Sequence, residues 1–317
     1  EYKYSLHQPE TFILARELRA ILDSYEEDKM MVGEVFGSDE TVKKYIGEKQ
    51  EGFSMLFSWD LLDFKPTAKF LRGVIDQQES QYPPPFTPVY VFGNHDRTRL
   101  ISQIDGDQSV ARLLALFQLT VRGVPVVYFG EEIGMEDGRF PAKTALDPVG
   151  RKYAWIPQWL IDAVGIYVNR DGCRTPMQWD SGPNAGFCGA AATPWLPVHE
   201  NRRFANVQSH QEDEASIMRT YQKLLQLRGE QKALQNGKLE LLAGPEIDEE
   251  LLVYVRTDES NANLIAINFT NEAIQLQNPT TCDQLLLAVG MEAPEDLKNI
   301  TIPPQAGLIL GQNQDTD

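Results

Sequence analysis

Two acidic groups stand at positions in this chain where chemistry is expected. Glu34 ends one short apolar run, and His95 and Asp96 follow a second one, residues 88–92, after a Gly-Asn turn. In the cleavage of a glycosidic bond, one carboxylic acid protonates the leaving oxygen while another carboxylate faces the cationic anomeric carbon. The residue types and their positions therefore favour Glu34 as a general acid and Asp96 as its partner.

Each of these residues also has a plainer interpretation. A His-Asp pair at a strand end is often only a hydrogen-bonded polar cap, and a strand-end glutamate is often simply solvated. A metal site would need more imidazoles at ligand spacing than His7, His95, His199 and His210 provide. The presence of two acidic strand ends in one chain is what favours catalysis.

These residues lie within a repeated strand–helix pattern. Short apolar strands are predicted over residues 29–33, 52–62, 88–92 and 125–129. Helices are predicted over residues 9–22 and 39–49, from residue 66 onwards, and over residues 109–121. Short connections between such units predict an α/β fold with parallel strands, as in a barrel. Because functional residues collect at the carboxyl ends of such strands, we expect Glu34 and Asp96 to face one pocket.

The second half of the chain follows a different pattern. Residues 130–213 show little periodicity, but they contain four of the five tryptophans, which predicts a long ordered loop. A helix is predicted over residues 214–234. Short strands follow over residues 239–242, 251–256, 264–269, 273–276, 284–289 and 306–310. We therefore divide the chain into a catalytic segment, residues 1–234, and an all-β antiparallel sandwich domain, residues 235–317.

Composition narrows the class of protein and its partners. The net charge of −17 is spread along the chain, which argues against binding to nucleic acid or to an anionic membrane and favours a neutral substrate. No apolar run reaches 18 residues, and the first residues resemble neither a signal peptide nor a membrane span. We therefore expect a cytoplasmic protein. A start at Glu1 instead of Met suggests that something upstream is missing.

Four motifs resemble, in their order along the chain, landmarks of glycoside hydrolase family 13 in its α-glucosidase and oligo-1,6-glucosidase branch. They are GEVFG at 33–37, GNHD at 93–96, GEEIGM at 130–135 and RTPMQWD at 174–180. The resemblance implies the C-terminal half of a (β/α)8 TIM barrel followed by a β domain. It also implies a retaining hydrolase that releases terminal α-linked glucose from short oligosaccharides.

The same resemblance implies a role for each site residue. Glu34 would be the general acid/base, and Asp96 the transition-state stabiliser that hydrogen-bonds the ring hydroxyls of the glucose. His95 would donate to the same sugar. Arg174 would hold the terminal glucose, with Arg170 as the alternative assignment. Arg174 could instead simply brace the loop, because Asp171 and Asp180 lie near it in the sequence.

The chain departs from the family pattern in one important respect. The family nucleophile is an aspartate in a G-x-R-x-D pattern on the fourth barrel strand, and no residue before the helix at 9–22 matches it. Asp60 ends the third strand of this chain, but nothing in the family matches it, and we assign it to capping the following turn. Since a retaining enzyme needs its nucleophile, we expect this 317-residue chain to be inactive alone and to need the missing N-terminal half of the barrel as its partner. No cofactor is expected in this chain, and the loop that often binds calcium in the family would belong to the missing half.

Two other functions stay open. An isomerising or transferring enzyme acting on sucrose, trehalose or maltose would differ in the loops near the acceptor, and residues 97–105 and 136–170 do not distinguish it. A non-catalytic binding or scaffold protein on a degenerate hydrolase fold would fit the missing nucleophile, but not the intact Glu34 and Asp96. Half a barrel would also leave strand edges exposed near residues 30–35 and 125–129, which predicts aggregation or pairing of the isolated chain.

Overall fold

The computed structural model describes residue 4, residues 6–165 and residues 167–312. The remaining residues, which include the start of the first predicted segment and the end of the second, lie outside the described part. Up to residue 126, the described chain consists of helices and short strands: α1 (Pro9–Asp23), β1 (Val32–Gly33), α2 (Asp39–Ile46), β2 (Met55–Leu56), α3 (Ala68–Gln81), β3 (Val89–Val91), α4 (Leu100–Gln103), α5 (Gln108–Thr120) and β4 (Val124–Val126).

The four strands form two parallel pairs. Strand β1 pairs with β2, and β3 pairs with β4, with Val89 opposite Val124. Helix α5 is bound to the second pair by Gln118, a fully buried side chain that donates to Tyr90 O and Val126 O. The connection from α5 into β4 requires Gly123, because its φ is +141° and a Cβ atom there would lie 2.6 Å from the carbonyl of Pro88.

All four strands predicted before residue 130 are longer than the observed ones. The strand predicted over 52–62 is only β2, because the chain beyond it leaves the sheet in a turn held by side chains. In that turn Asp60 Oδ2 accepts hydrogen bonds from Ser58 Oγ at 2.8 Å and from Gln78 Nε2 at 2.5 Å. Asp60 is therefore occupied in bracing this turn against α3. Strand β4 likewise ends three residues before the predicted end at residue 129.

The predicted long loop contains several short helices. They are α6 (Pro148–Lys152), α7 (Gln158–Val164) and α8 (Val207–Glu212), together with 3-10 turns at 131–133, 142–144, 172–174, 183–186 and 200–203. Helices of five to seven residues are too short to produce a periodic pattern over a sequence window. The helix predicted over 214–234 is divided at Gln231 into α9 (Ile217–Glu230) and α10 (Lys232–Asn236).

The remainder of the described chain is antiparallel β structure. Its strands are β5 (Lys238–Leu241), β6 (Leu251–Thr257), β7 (Ala262–Asn268), β8 (Ile274–Gln277), β9 (Gln284–Val289), β10 (Asn299–Ile302) and β11 (Ala306–Gly311). Five of them form a sheet in the order β5-β6-β7-β11-β9, and β8 pairs with β10. Strand β10 is missing from the prediction, since a pattern of only four residues is at the short limit of what predicts a strand.

Both faces of the five-stranded sheet are buried. One face, which includes Tyr254, Ile265 and Ile309, belongs to the same hydrophobic core as α5 and α9. The other face packs with β8 and β10 in a second core. The buried Thr120 hydroxyl, at the end of α5, lies 2.5 Å from the Tyr254 hydroxyl. The sheet and helices α5 and α9 therefore share one continuous core.

One face of the strand–helix segment is left uncovered. Four apolar residues of α1 are largely exposed, namely Ile13, Leu14, Leu18 and Ile21, at 41–56%. Within the described chain, β1 pairs only with β2 and β4 only with β3, so each has an open outer edge. No helix in the described residues is both long enough and apolar enough to span a membrane.

Candidate active site

The turn after β3 presents Asp96. The backbone N–H of Asp96 donates to Asn94 Oδ1 at 2.8 Å, which fixes the turn. Its Oδ1 atom accepts hydrogen bonds from Arg170 Nη1 at 2.8 Å and Arg174 Nη2 at 2.7 Å, and His95 Nε2 lies 3.5 Å away. Within the described part of the chain, Asp96 Oδ2 accepts no hydrogen bond. One carboxylate oxygen is thus held by two guanidinium groups while the other is open to a ligand.

Arg174 holds this turn in two ways. Besides binding Asp96, it donates from Nε to the main-chain oxygen of His95 at 2.7 Å. Its Nη1 atom has no hydrogen-bond partner among the described residues, and 22% of the side chain is exposed. Arg174 therefore has a donor left for a ligand.

Arg170 is held differently, by a residue that the sequence analysis did not single out. It donates from Nε and Nη2 to the two oxygens of Asp147, at 2.9 and 2.7 Å. The Asp147 side chain is fully buried, and its hydrogen bonds from Arg170 hold its pKa well below the usual value. Asp147 precedes Pro148, the first residue of α6, and caps that helix by accepting the backbone N–H of Val149. Its second role, towards Arg170, had no sequence signal.

A cavity of about 670 Å³ lies beside this turn. It is lined by His95, Arg174 and Glu132 and by aromatic side chains, namely Tyr128, Phe129, Trp179, Phe187 and Trp195. Burial raises the pKa of Tyr128 to about 12, so its hydroxyl keeps its proton and donates to the main-chain oxygen of Cys173 at 3.1 Å. Burial also raises the pKa of Glu132, whose carboxylate accepts the backbone N–H of Gly130. The cavity thus combines a few polar side chains with a mostly aromatic lining.

Behind this cavity lies Arg99, a second residue missed from the sequence. Its buried guanidinium donates to Phe129 O at 2.7 Å and stacks 5.1 Å from the ring of Tyr128 and 4.7 Å from that of Phe129. The backbone N–H of Arg99 donates to Asp137, whose pKa is raised by burial to about 6. Arg99 therefore braces one wall of the cavity. Its only sequence signal is its closeness to the His-Asp motif.

Within the described part of the chain, Glu34 makes no hydrogen bond or ion pair with the other predicted site residues. It is exposed at the end of β1 and lines a separate cavity of about 320 Å³ with Leu14 and Leu18 of α1. Among the described residues, that cavity includes neither Asp96 nor either arginine. Glu34 belongs to the β1–β2 pair and Asp96 to the β3–β4 pair, and no backbone ladder joins the two pairs. The structure therefore brings together His95, Asp96, Arg170 and Arg174, and Glu34 stands outside this group.

The arrangement contains no metal centre within the described ranges, since no three His, Cys, Asp or Glu side chains are grouped so as to hold an ion. Its chemistry rests on carboxylates and guanidinium groups beside an aromatic cavity. Residues 1–237 match the family model described as the α-amylase catalytic domain. The chain belongs to the α-amylase family.

Individual members of the α-amylase family are similar to this chain over most of its length. The chain is 29% identical to the oligo-1,6-glucosidase of Parageobacillus thermoglucosidasius, covering 95% of this chain and 58% of that protein. It is 31% identical to the salivary α-glucosidase of Aedes aegypti, covering 86% and 46%. The crystal structure of the trehalulose synthase from Pseudomonas mesoacidophila MX-45 superposes with a TM-score of 0.82 at 25% identity, covering 96% and 59%.

These matches confirm the resemblance to glycoside hydrolase family 13 and to its α-glucosidase and oligo-1,6-glucosidase branch. The chain spans about half the length of the curated relatives it matches, from 45% to 60%. The fold of this part of the α-amylase family is therefore present, in a chain much shorter than its relatives.

Proposed function

We propose that this chain carries the acid-bearing half of a retaining α-glucosidase that releases terminal glucose from short oligosaccharides. The observation that carries the proposal is the geometry of Asp96. Two arginines bind its Oδ1 atom, Oδ2 is open, and His95 lies beside it at the edge of a cavity. A carboxylate held in this way suits the hydroxyls and developing positive charge of a sugar ring in the transition state.

Glu34 supplies the proton in this proposal. As general acid it protonates the leaving oxygen, and as general base it later takes a proton from the attacking water. Its exposure at the end of β1 supports this role, because it leaves the carboxyl group accessible. In this proposal, further polypeptide closes the site so that both carboxylates face one sugar.

That polypeptide is the proposed partner, an N-terminal half of the barrel that carries the nucleophile. The uncovered apolar side of α1 and the open edges of β1 and β4 support the proposal, because a closed barrel buries such surfaces and pairs such edges. The relatives, about twice as long, support it too. The chain alone should not turn over glucosides.

The test uses the complete protein, in which this chain is joined to a nucleophile-bearing N-terminal half. Glu34→Gln should lower hydrolysis of maltose or isomaltose by about 10²- to 10⁴-fold while binding of the sugar persists. Turnover of α-glucosyl fluoride should be much less affected in its first step, because fluoride leaves without protonation. Glu40→Gln, an exposed change on α2, is the matched control. Undiminished hydrolysis by Glu34→Gln would remove Glu34 from its role.

A second candidate is supported by the trehalulose synthase structure, whose TM-score with this chain is 0.82. Such an enzyme would rearrange a disaccharide instead of releasing glucose to water. Chromatography of the products formed from sucrose, trehalose, maltose and isomaltose separates the two functions. Free glucose as the main product supports the hydrolase, and a new disaccharide supports the isomerising or transferring enzyme.

A further inference from the structure

We propose that Asp147 is a positioning residue that acts through Arg170 to keep Oδ2 of Asp96 open for a sugar hydroxyl. The inference rests on the proposed function. It concerns a chain of contacts in which the buried carboxylate of Asp147 determines how Arg170 binds the partly exposed carboxylate of Asp96.

The guanidinium of Arg170 is shared unequally between two aspartates. Asp147 takes two hydrogen bonds, one on each carboxylate oxygen, and Asp96 takes one, on Oδ1 alone. The Asp147 side chain is 0% exposed, whereas that of Asp96 is 36% exposed. Since charge-assisted pairs are stronger away from water, the paired contact with Asp147 orients the guanidinium plane.

Asp147 is itself held in place by its neighbours. Its Oδ1 atom accepts the backbone N–H of Val149, and its Oδ2 atom accepts the backbone N–H of Arg170. Asp171 fixes the preceding main chain, because its two oxygens accept the N–H groups of Leu146 and Asp147 at 2.7 and 3.0 Å. The position of Asp147 is therefore set by backbone contacts and does not depend on a ligand.

These contacts determine how the guanidinium of Arg170 can bind the carboxylate of Asp96. An arginine without a second carboxylate favours a two-pronged contact with the one that remains, which here would engage both oxygens of Asp96. Oδ2 would then be lost to the sugar. Asp147 prevents this by occupying Nε and Nη2 of Arg170 and leaving only Nη1 for Asp96.

Asp147→Asn, which keeps the shape of the side chain and removes its charge, tests the proposal. In a crystal structure of the variant, Arg170 should leave residue 147 and contact both oxygens of Asp96. In the complete protein, kcat/KM for maltose should fall by about 10-fold. Asp213→Asn is the matched control, because Asp213 is an exposed carboxylate of the same loop that, among the described residues, accepts only the backbone N–H of Ala215.

The double variant separates positioning from general damage to the loop. If Asp147 acts only through Arg170, adding Asp147→Asn to Arg170→Gln should change kcat/KM by less than about twofold, whereas independent effects would multiply. If Asp147→Asn does not fold, Arg170→Lys serves instead, because an ammonium group cannot make the paired contact and should lose activity with Asp147 intact.

The outcomes distinguish this inference from the proposed function. Arg170 and Asp96 unmoved in the crystal structure of Asp147→Asn, or multiplying effects in the double variant, would overturn the positioning role. A complete protein that binds no glucoside, together with a displaced Arg170 in the variant, would overturn the proposed function and leave the control of Arg170 by Asp147 standing.

Discussion

Nη2 of Arg174 donates to Oδ1 of Asp96 across 2.7 Å, and Nε of the same side chain binds the carbonyl of His95. Both contacts depend on the planar fork of a guanidinium group. Arg174→Lys keeps the charge but cannot make both contacts, so we expect kcat/KM of the complete protein for maltose to fall by about 10²-fold. Arg203→Lys, an exposed change in the same loop, should have no effect. Equal kinetics in the two variants would exclude Arg174 from the sugar site.

The raised pKa of Asp137 predicts that the stability of the protein depends on pH. Burial raises its pKa to about 6, with Arg99, His199 and Glu136 as the nearby charged or titratable groups. In the unfolded chain an aspartate loses its proton near pH 4, so the free energy of unfolding falls as pH rises from about 4 to about 6. Asp137→Asn removes this loss and can still accept the N–H of Arg99.

We therefore expect Asp137→Asn to be more stable than the wild type by about 2 kcal/mol at pH 7.5 and about equally stable at pH 4. Urea unfolding at both pH values measures the difference. A gap of the same size at both would show that ionisation of Asp137 is not its cause.

Arg256 links the end of α5 to the β sheet. Its guanidinium is fully buried, and it donates to Thr120 O at 2.6 Å and to Gly237 O at 3.0 Å. Arg256→Ala leaves both carbonyls without a donor and opens a cavity, so it should lower the free energy of unfolding by about 3–5 kcal/mol. Arg16→Ala, which removes a solvent-exposed ion pair, should cost less than about 1 kcal/mol in the same urea titration. Similar losses in both would contradict a bracing role for Arg256.

The uncovered face of α1 predicts self-association of the isolated chain. Leu18 and Ile21 are 41% and 56% exposed, so changing both to glutamate should remove apolar contact surface at little cost in folding stability. Sedimentation velocity should show the wild type as aggregates or pairs and the double variant shifted towards the monomer. Glu17→Gln, on the same helix, should leave the association unchanged. A wild-type chain that sediments as a monomer would contradict the prediction.

The parts of the fold that could be predicted are those with a long apolar pattern. The helix predicted over 109–121 is observed at Gln108–Thr120, and the strand predicted over 284–289 is observed at the same residues. The elements that were predicted wrongly are short, or their ends are set by side-chain contacts. Asp60 and Gln78 end β2 early through contacts 18 residues apart, and no window of the sequence carries that information.

Only those site residues that lie in recognisable sequence motifs could be predicted. His95, Asp96, Arg170 and Arg174 do come together, as expected for one site. Asp147 was missed because its partner is 23 residues away across an irregular loop, where no repeat relates the two positions. The expected single pocket for both carboxylates stays a prediction, because its closure depends on packing that strand-end residues alone do not determine.

The core that α5 and α9 share with the five-stranded sheet has a practical consequence for protein engineering. Exchanging the C-terminal sheet for that of a relative would replace Tyr254 and Arg256, the partners of the Thr120 hydroxyl and carbonyl. A chimera joined near Gly237 would thus set mismatched surfaces against each other. A workable graft has to move both helices together with the sheet as one block.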